Sequence, residues 1–151
     1  MTRTEIDIIA VGKLKENYLR SAQDSLLKGL NHRAGISVIE IKDEKTKEGA
    51  SLKELERVKN LEGKSILKHL DARARIIAMD LRGKKTNSDA LKKMLAVEQM
   101  DGQKIQFIIG GSLGISEEVL AMAHRRISFG DMTYPHQLFR VMLLEELTKL
   151  I

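Results

Sequence analysis

The stretch Ile105-Gln106-Phe107-Ile108-Ile109-Gly110-Gly111-Ser112-Leu113-Gly114 runs a short apolar strand straight into a glycine turn, and Ser116 stands where a following helix would be capped. An apolar run of that length bounded by glycine reads as a strand buried on both faces. The same strand-to-helix switch recurs upstream. Ile6-Asp7-Ile8-Ile9-Ala10-Val11 is a buried strand closed by Gly12, and Glu16 to Leu30 is a helix with Leu19, Ala22, Leu26 and Leu30 on one face. Ile36-Ser37-Val38-Ile39-Glu40-Ile41 alternates as a second strand. A charged loop, Lys42 to Gly49, leads to a capping box, Ser51 with Glu54, that opens a long helix to about His69. Arg75 to Leu81 is the third strand, ended by Arg82-Gly83-Lys84-Lys85. Thr86 or Ser88 caps a helix to about Met100, and Asp101-Gly102 turns into the strand at 105–109. Four strand–helix alternations within about 110 residues predict an α/β fold with a parallel-type sheet flanked by helices. No linker or internal repeat interrupts it, so residues 1–151 read as one domain.

The last helix, His136 to Ile151, begins after the only proline, Pro135, at a position that tolerates it. Leu138, Phe139, Val141, Met142, Leu143, Leu144, Leu147, Leu150 and Ile151 surround it rather than forming one stripe. A helix apolar all round must be covered on more than one side, which predicts burial by its own fold and by a partner subunit.

Composition removes several classes of function. Cysteine is absent, which excludes disulfides, thiolate zinc sites, iron–sulfur clusters and a cysteine nucleophile. His32, His69, His124 and His136 show no ligand spacing, so no metal is expected. Aromatics are 3% of the chain, too few for a base-stacking platform. The N-terminus lacks the apolar run of a signal peptide, and no stretch is long enough to cross a bilayer. A cytoplasmic protein without a membrane partner is expected. Twenty-six Lys and Arg against 21 Asp and Glu give a net charge of +5, a mild lean toward a polyanion.

Ligands of open parallel sheets bind beyond the carboxyl ends of the strands. Here those ends carry Gly12-Lys13-Leu14-Lys15, Arg82-Gly83-Lys84-Lys85 and Gly110-Gly111-Ser112-Leu113-Gly114. Two basic loops and a glycine loop on one edge suit a phosphate-bearing substrate beside a small ligand, although lysines and arginines in such loops are as often plain solvated surface. The glycine loop is neither a dinucleotide fingerprint nor a Walker loop, and it follows the fourth strand instead of the first.

Taken together, Ile9-Ala10-Val11-Gly12-Lys13-Leu14-Lys15 with Tyr18, Asp80-Leu81-Arg82-Gly83-Lys84, Ile108-Ile109-Gly110-Gly111-Ser112-Leu113-Gly114 and the run from Ile127-Ser128-Phe129-Gly130-Asp131-Met132-Thr133-Tyr134-Pro135-His136-Gln137 to Leu138-Phe139-Arg140-Val141 resemble the SPOUT methyltransferases, specifically the RlmH family. The resemblance spans residue 6 to about residue 146. It implies a trefoil knot at the C-terminal end, S-adenosylmethionine as cofactor, and a homodimer acting on the ribosome to methylate N3 of a pseudouridine in 23S ribosomal RNA. Carried over by position, the cofactor residues are Met79, Gly110, Phe129, Gly130, Asp131, Met132, Thr133 and Tyr134; core packing alone would account equally for Met79 and Phe129. His136 is the candidate base, in a first helical turn whose dipole favours neutral imidazole. Arg140, one turn on, is the candidate partner of an RNA phosphate or of the cofactor carboxylate.

The family's last helix continues with Tyr-Arg-Ala and a tail ending Tyr-His-Lys. Here Thr148 and Lys149 stand at the first two of those positions, and Ile151 ends the chain. Two further readings therefore stand beside the active enzyme: a knotted cofactor- or RNA-binding protein with little or no catalysis, and a nucleotide or flavin module unrelated to the family.

Overall fold

The computed structural model describes residues 4–101 and 104–151. The turn expected at Asp101-Gly102 lies in part outside them. Ten elements alternate along the chain: β1 (Glu5–Val11), α1 (Asn17–Leu30), β2 (Gly35–Ile41), α2 (Leu52–Leu67), β3 (Ala74–Lys85), α3 (Ser88–Asp101), β4 (Lys104–Ile109), α4 (Glu117–Met122), β5 (Arg125–Ser128) and α5 (His136–Leu150). The five strands form one parallel sheet in the order β2-β1-β4-β3-β5.

β4 lies at the centre, between β1 and β3, which explains its nearly unbroken apolar sequence. Its alternate residues supply two cores. Ile105, Phe107 and Ile109 pack with Leu30, Leu91, Leu95, Leu143, Leu144 and Leu147 from α1, α3 and α5. Ile108 faces the other way, with Ile66, Val119 and Leu120 from α2 and α4. The exception is Gln106, buried on the strand but fully occupied. Its amide donates to Asp7 Oδ2 and to the His69 carbonyl, and its carbonyl accepts from the Asp71 amide, all at 2.9 Å.

Three expectations need correction. The strand β5 does not stand out in the sequence, because it has four residues and two of them, Arg125 and Arg126, are exposed. It is recognisable only by its pairing on β3. Arg82-Gly83-Lys84-Lys85 does not end the third strand. Met79 and Lys84 both pair with Ile127, so Asp80 to Gly83 loop out as an irregularity and the strand resumes beyond them. Gly83 makes that return possible: a Cβ there would stand 2.6 Å from the Arg126 carbonyl carbon. The cap of α3 is neither Thr86 nor Ser88 but Asn87, whose Oδ1 accepts from the Ala90 amide at 2.9 Å. The capping box of α2 forms at its Ser51 half, with Ser51 Oγ accepting from the Glu54 amide at 3.1 Å.

After β5, at one edge of the sheet, the chain crosses the carboxyl ends of the strands and enters α5, which packs against α1 and α3. Buried on α5 are Arg140, Leu143, Leu144 and Leu147, whereas Leu138 is 39% exposed and Val141 and Met142 are half-buried. The fold of one chain thus packs Phe139, Leu143, Leu144, Leu147, Leu150 and Ile151 and leaves Leu138, Val141 and Met142 outside the core.

Candidate active site

The crossing segment roofs a cleft of about 610 Å³ at the carboxyl ends of β3, β4 and β5. Met79, Asp80 and Leu81 form one wall, where β3 breaks its pairing. Gly110, Gly111, Ser112 and Gly114 form a second, and Phe129 to Tyr134, apart from Asp131, form the third, with His136 and Phe139 behind it. The structure therefore brings Met79, Gly110, Phe129, Gly130, Met132, Thr133, Tyr134 and His136 together across sequence distances that no local pattern connects. Asp131 is turned outward, with its carboxylate 2.7 Å from Lys85 Nζ, and does not line the cleft.

Each wall has a physical origin. Gly110 lies so close to the returning chain that a Cβ would be 2.7 Å from the Gly114 carbonyl carbon, so only glycine closes this turn. Gly114 itself adopts φ 84°, and Gly130 φ 122°. In the third wall, Ser128 Oγ accepts from the Gly130 amide at 3.1 Å and donates to the Gly130 carbonyl at 2.8 Å, which pins the start of the loop. Beneath it the Phe139 ring lies 4.8 Å from Phe129 and 6.1 Å from Tyr134, in tilted aromatic contacts that hold the loop on α5.

His136 occupies the first residue of α5, over the end of β1. Its Nε2 is 3.6 Å from the position a Cβ on Gly12 would take. Burial lowers the imidazole pKa below its ordinary value; Asp43 opposes the shift, and Arg140 and Lys15 add to it. The ring is accordingly neutral at neutral pH and able to accept a proton.

Arg140 departs from expectation. Only 1% of it is exposed, and it does not line the cleft. Its guanidinium donates to Glu40 Oε2 at 2.7 Å and to the Gly12 carbonyl at 2.8 Å. These two bonds fix α5 to the ends of β1 and β2. The side chain missed at sequence level is Glu62, buried on α2 behind the glycine turn, which reads in the sequence as an ordinary helix-surface glutamate. Its neighbour Gly63 was the available signal, since a glycine inside a helix marks a close approach. A Cβ on Gly63 would collide with Ser116 Oγ at the start of α4.

A model described as "Predicted SPOUT methyltransferase" matches residues 4–150. The chain belongs to the SPOUT methyltransferase family. Membership of that family implies a trefoil knot, a rare exception to the rule against threaded chains. This SPOUT methyltransferase is 47% identical over 142 residues to Ribosomal RNA large subunit methyltransferase H of Clostridium botulinum strain Langeland, covering 93% of this chain and 89% of that protein. It is 45% identical over 143 residues to the protein of the same name from Clostridium kluyveri, covering 94% and 90%. Among the described residues of the methyltransferase, no helix is long and apolar enough to cross a membrane.

Proposed function

We propose that this methyltransferase uses S-adenosylmethionine to methylate N3 of a pseudouridine in 23S ribosomal RNA, acting on the ribosome as a homodimer. The observation that carries the cofactor reading is the lining of the cleft. Its walls are mainly apolar side chains and backbone from two glycine-bearing turns, joined by the side chains of Ser112, Ser128, Thr133, Tyr134 and His136; one carboxylate, Asp80, and no lysine or arginine are among the lining residues. A nucleoside phosphate or a flavin nucleotide would be held by cations or a glycine-rich helix start. A cofactor bearing a sulfonium and no phosphate suits a cleft without cations. Met79, Gly110 and the loop from Phe129 to Tyr134 would hold it, chiefly through backbone groups and apolar contact.

Bound there, S-adenosylmethionine supplies an electrophilic methyl that needs no activation by the protein. The chain's own tasks are alignment of the acceptor nitrogen and removal of its proton. Neutral His136, which lines the cleft, would take the N3 proton, the methyl group passing from sulfur to nitrogen and the sulfur keeping the electron pair of the broken bond. Arg140 acts at one remove, holding the turn of helix that carries His136. The RNA reading rests on the names of the relatives and on exposed Lys13, Lys15 and Lys84 around the same edge of the sheet. The dimer reading rests on Leu138, Val141 and Met142, the part of α5 that one chain leaves open.

Calorimetric titration with S-adenosylmethionine, followed by methyl transfer to ribosomes lacking the modification, tests the proposal. Saturable binding and one methylated pseudouridine per ribosome are expected. A folded protein that takes up no cofactor would overturn it, and a monomeric mass by light scattering would overturn the homodimer.

A further inference from the structure

Glu62 is 3% exposed, on the buried face of α2 with Val58, Gly63 and Ile66. Its two carboxyl oxygens face different structures. Oε2 accepts from the Glu44 backbone amide at 3.0 Å, on the loop between β2 and α2. Oε1 has no hydrogen-bond partner and lies 3.7 Å from the position a Cβ on Gly111 would take, on the glycine turn of the cleft. A buried polar oxygen without a partner is costly, and a fold that keeps one invites a reason.

We infer that Glu62 is a positioning residue for the cofactor cleft: it braces the Gly110–Gly111 turn against the loop carrying Asp43 and Glu44. The inference deepens the proposed function and rests on it. Gly63 lets α2 approach Ser116 closely enough for the neighbouring Glu62 to reach behind the turn. The groups facing the carboxyl are all acidic or neutral. Asp43 and Glu44 come from the β2–α2 loop, while the segment from Gly110 to Ser116 and Val11 of β1 contribute no charge. On the far side of Asp43 stands His136, with Lys15 and Arg140 beyond it.

Burial pushes the Glu62 carboxyl up to about 7; the Glu44 amide opposes the shift and Asp43 adds to it. The brace is therefore protonated in slightly acidic solution. Losing the proton ends the side-chain hydrogen bond with Asp43 and leaves Glu62 charged beside Asp43 and Glu44, which pushes that loop away from Glu62 and loosens the support behind the glycine turn. A one-unit difference in this pKa between cofactor-bound and free protein corresponds to about a tenfold change in affinity.

Two measurements on the intact protein test this. The amide resonances of Gly111 and Glu44 are followed by NMR from about pH 5.5 to about 8.5, in the wild type and in Glu62→Gln. Both should shift with a common midpoint near 7 in the wild type, and neither should show that transition in the variant. Should Glu62→Gln not fold, the side-chain carboxyl resonance of Glu62 in the wild type gives the same midpoint directly. A Gly111 amide that ignores pH, or that titrates independently of the Glu62 carboxyl, overturns the inference. Calorimetry with S-adenosylmethionine should then show affinity falling about tenfold as pH rises through that midpoint. The profile should be flat in Glu62→Gln, and the amide should recover binding that Glu62→Ala loses. Affinity that is independent of pH in the wild type also overturns the inference, whereas no binding at any pH overturns the proposed cofactor and leaves the NMR result to decide the brace.

Discussion

Arg140 and Glu40, a hundred positions apart in sequence, form an ion pair at 2.7 Å that joins the last helix to the second strand. The arginine is wholly buried, whereas the glutamate is partly exposed at the sheet edge. The second donor of the guanidinium goes to the Gly12 carbonyl at the end of β1. One side chain thus ties three elements together directly behind the cleft, one helical turn from His136.

Removing Glu40 should therefore cost more than an exposed salt bridge would. Glu40→Ala leaves a buried guanidinium with the Gly12 carbonyl alone, and a loss of about 3 kcal/mol is expected. Urea unfolding at neutral pH measures it. A loss below about 1 kcal/mol would mean that water reaches Arg140 in solution.

The glycine turn makes a sharper prediction. At Gly110 even an alanine Cβ would meet the Gly114 carbonyl carbon at 2.7 Å and its oxygen at 2.8 Å. Gly110→Ala should displace the turn while the two cores keep their packing. The strain should lower cofactor affinity by about ten- to a hundredfold. Calorimetry beside a circular dichroism spectrum checks this, and unchanged affinity in the folded variant would place the cofactor elsewhere.

His136→Gln should separate binding from chemistry. The ring lies at the cleft's edge, so cofactor affinity should change little, while methyl transfer should fall by about a hundred- to ten-thousandfold. The pH profile supplies a second check. Because burial lowers the imidazole pKa, activity in the wild type should rise with pH through a value below the ordinary 6.5. A variant that retains full turnover would exclude His136 as the base.

A last prediction concerns acid stability. Glu98 on α3 is 1% exposed and accepts from Arg75 Nε at 2.5 Å and from Arg125 Nε at 2.6 Å, binding the helix to β3 and β5. Burial raises the carboxyl pKa, but the two guanidiniums outweigh it and hold it below its usual 4.5. The folded state then binds fewer protons than the unfolded chain in that interval. Stability from this group is complete above 4.5 and is lost as pH falls through the folded value. Glu98→Gln should be less stable by about 3 kcal/mol at neutral pH, and part of that deficit should vanish in acid. Melting curves from neutral pH down to about pH 3 decide it; a deficit unchanged by acid would show that the carboxylate charge is not what the arginines hold.

Much of this architecture is written locally. The periodicities of β1, β2, β4, α1 and α2 follow from which neighbours along the chain share a face, and Ser51 with Glu54 caps a helix through contacts three residues apart. Those features depend on nearest neighbours, and a single sequence displays them. The motif around Gly110 and Phe129 to Tyr134 is likewise legible, because a glycine-rich turn and an apolar loop keep their residue types wherever they are placed.

What the sequence could not display are the relationships set by the crossing of the chain. β5 is a strand because β3 offers it an edge, and β3 runs to Lys85 because Ile127 accepts a second partner beyond the loop at Asp80 to Gly83. Arg140 reads as an outward phosphate hand until Glu40 and Gly12 close around it. Glu62 reads as surface until Gly63 draws α2 against Ser116 and buries it behind Gly111. Sequence by itself determined the elements apart from β5 and the end of β3, the family, and most of the cleft lining apart from Asp131. Only the tertiary structure decided which charges are buried, since burial and ion pairing depend on the distance between residues that the chain separates by scores of positions.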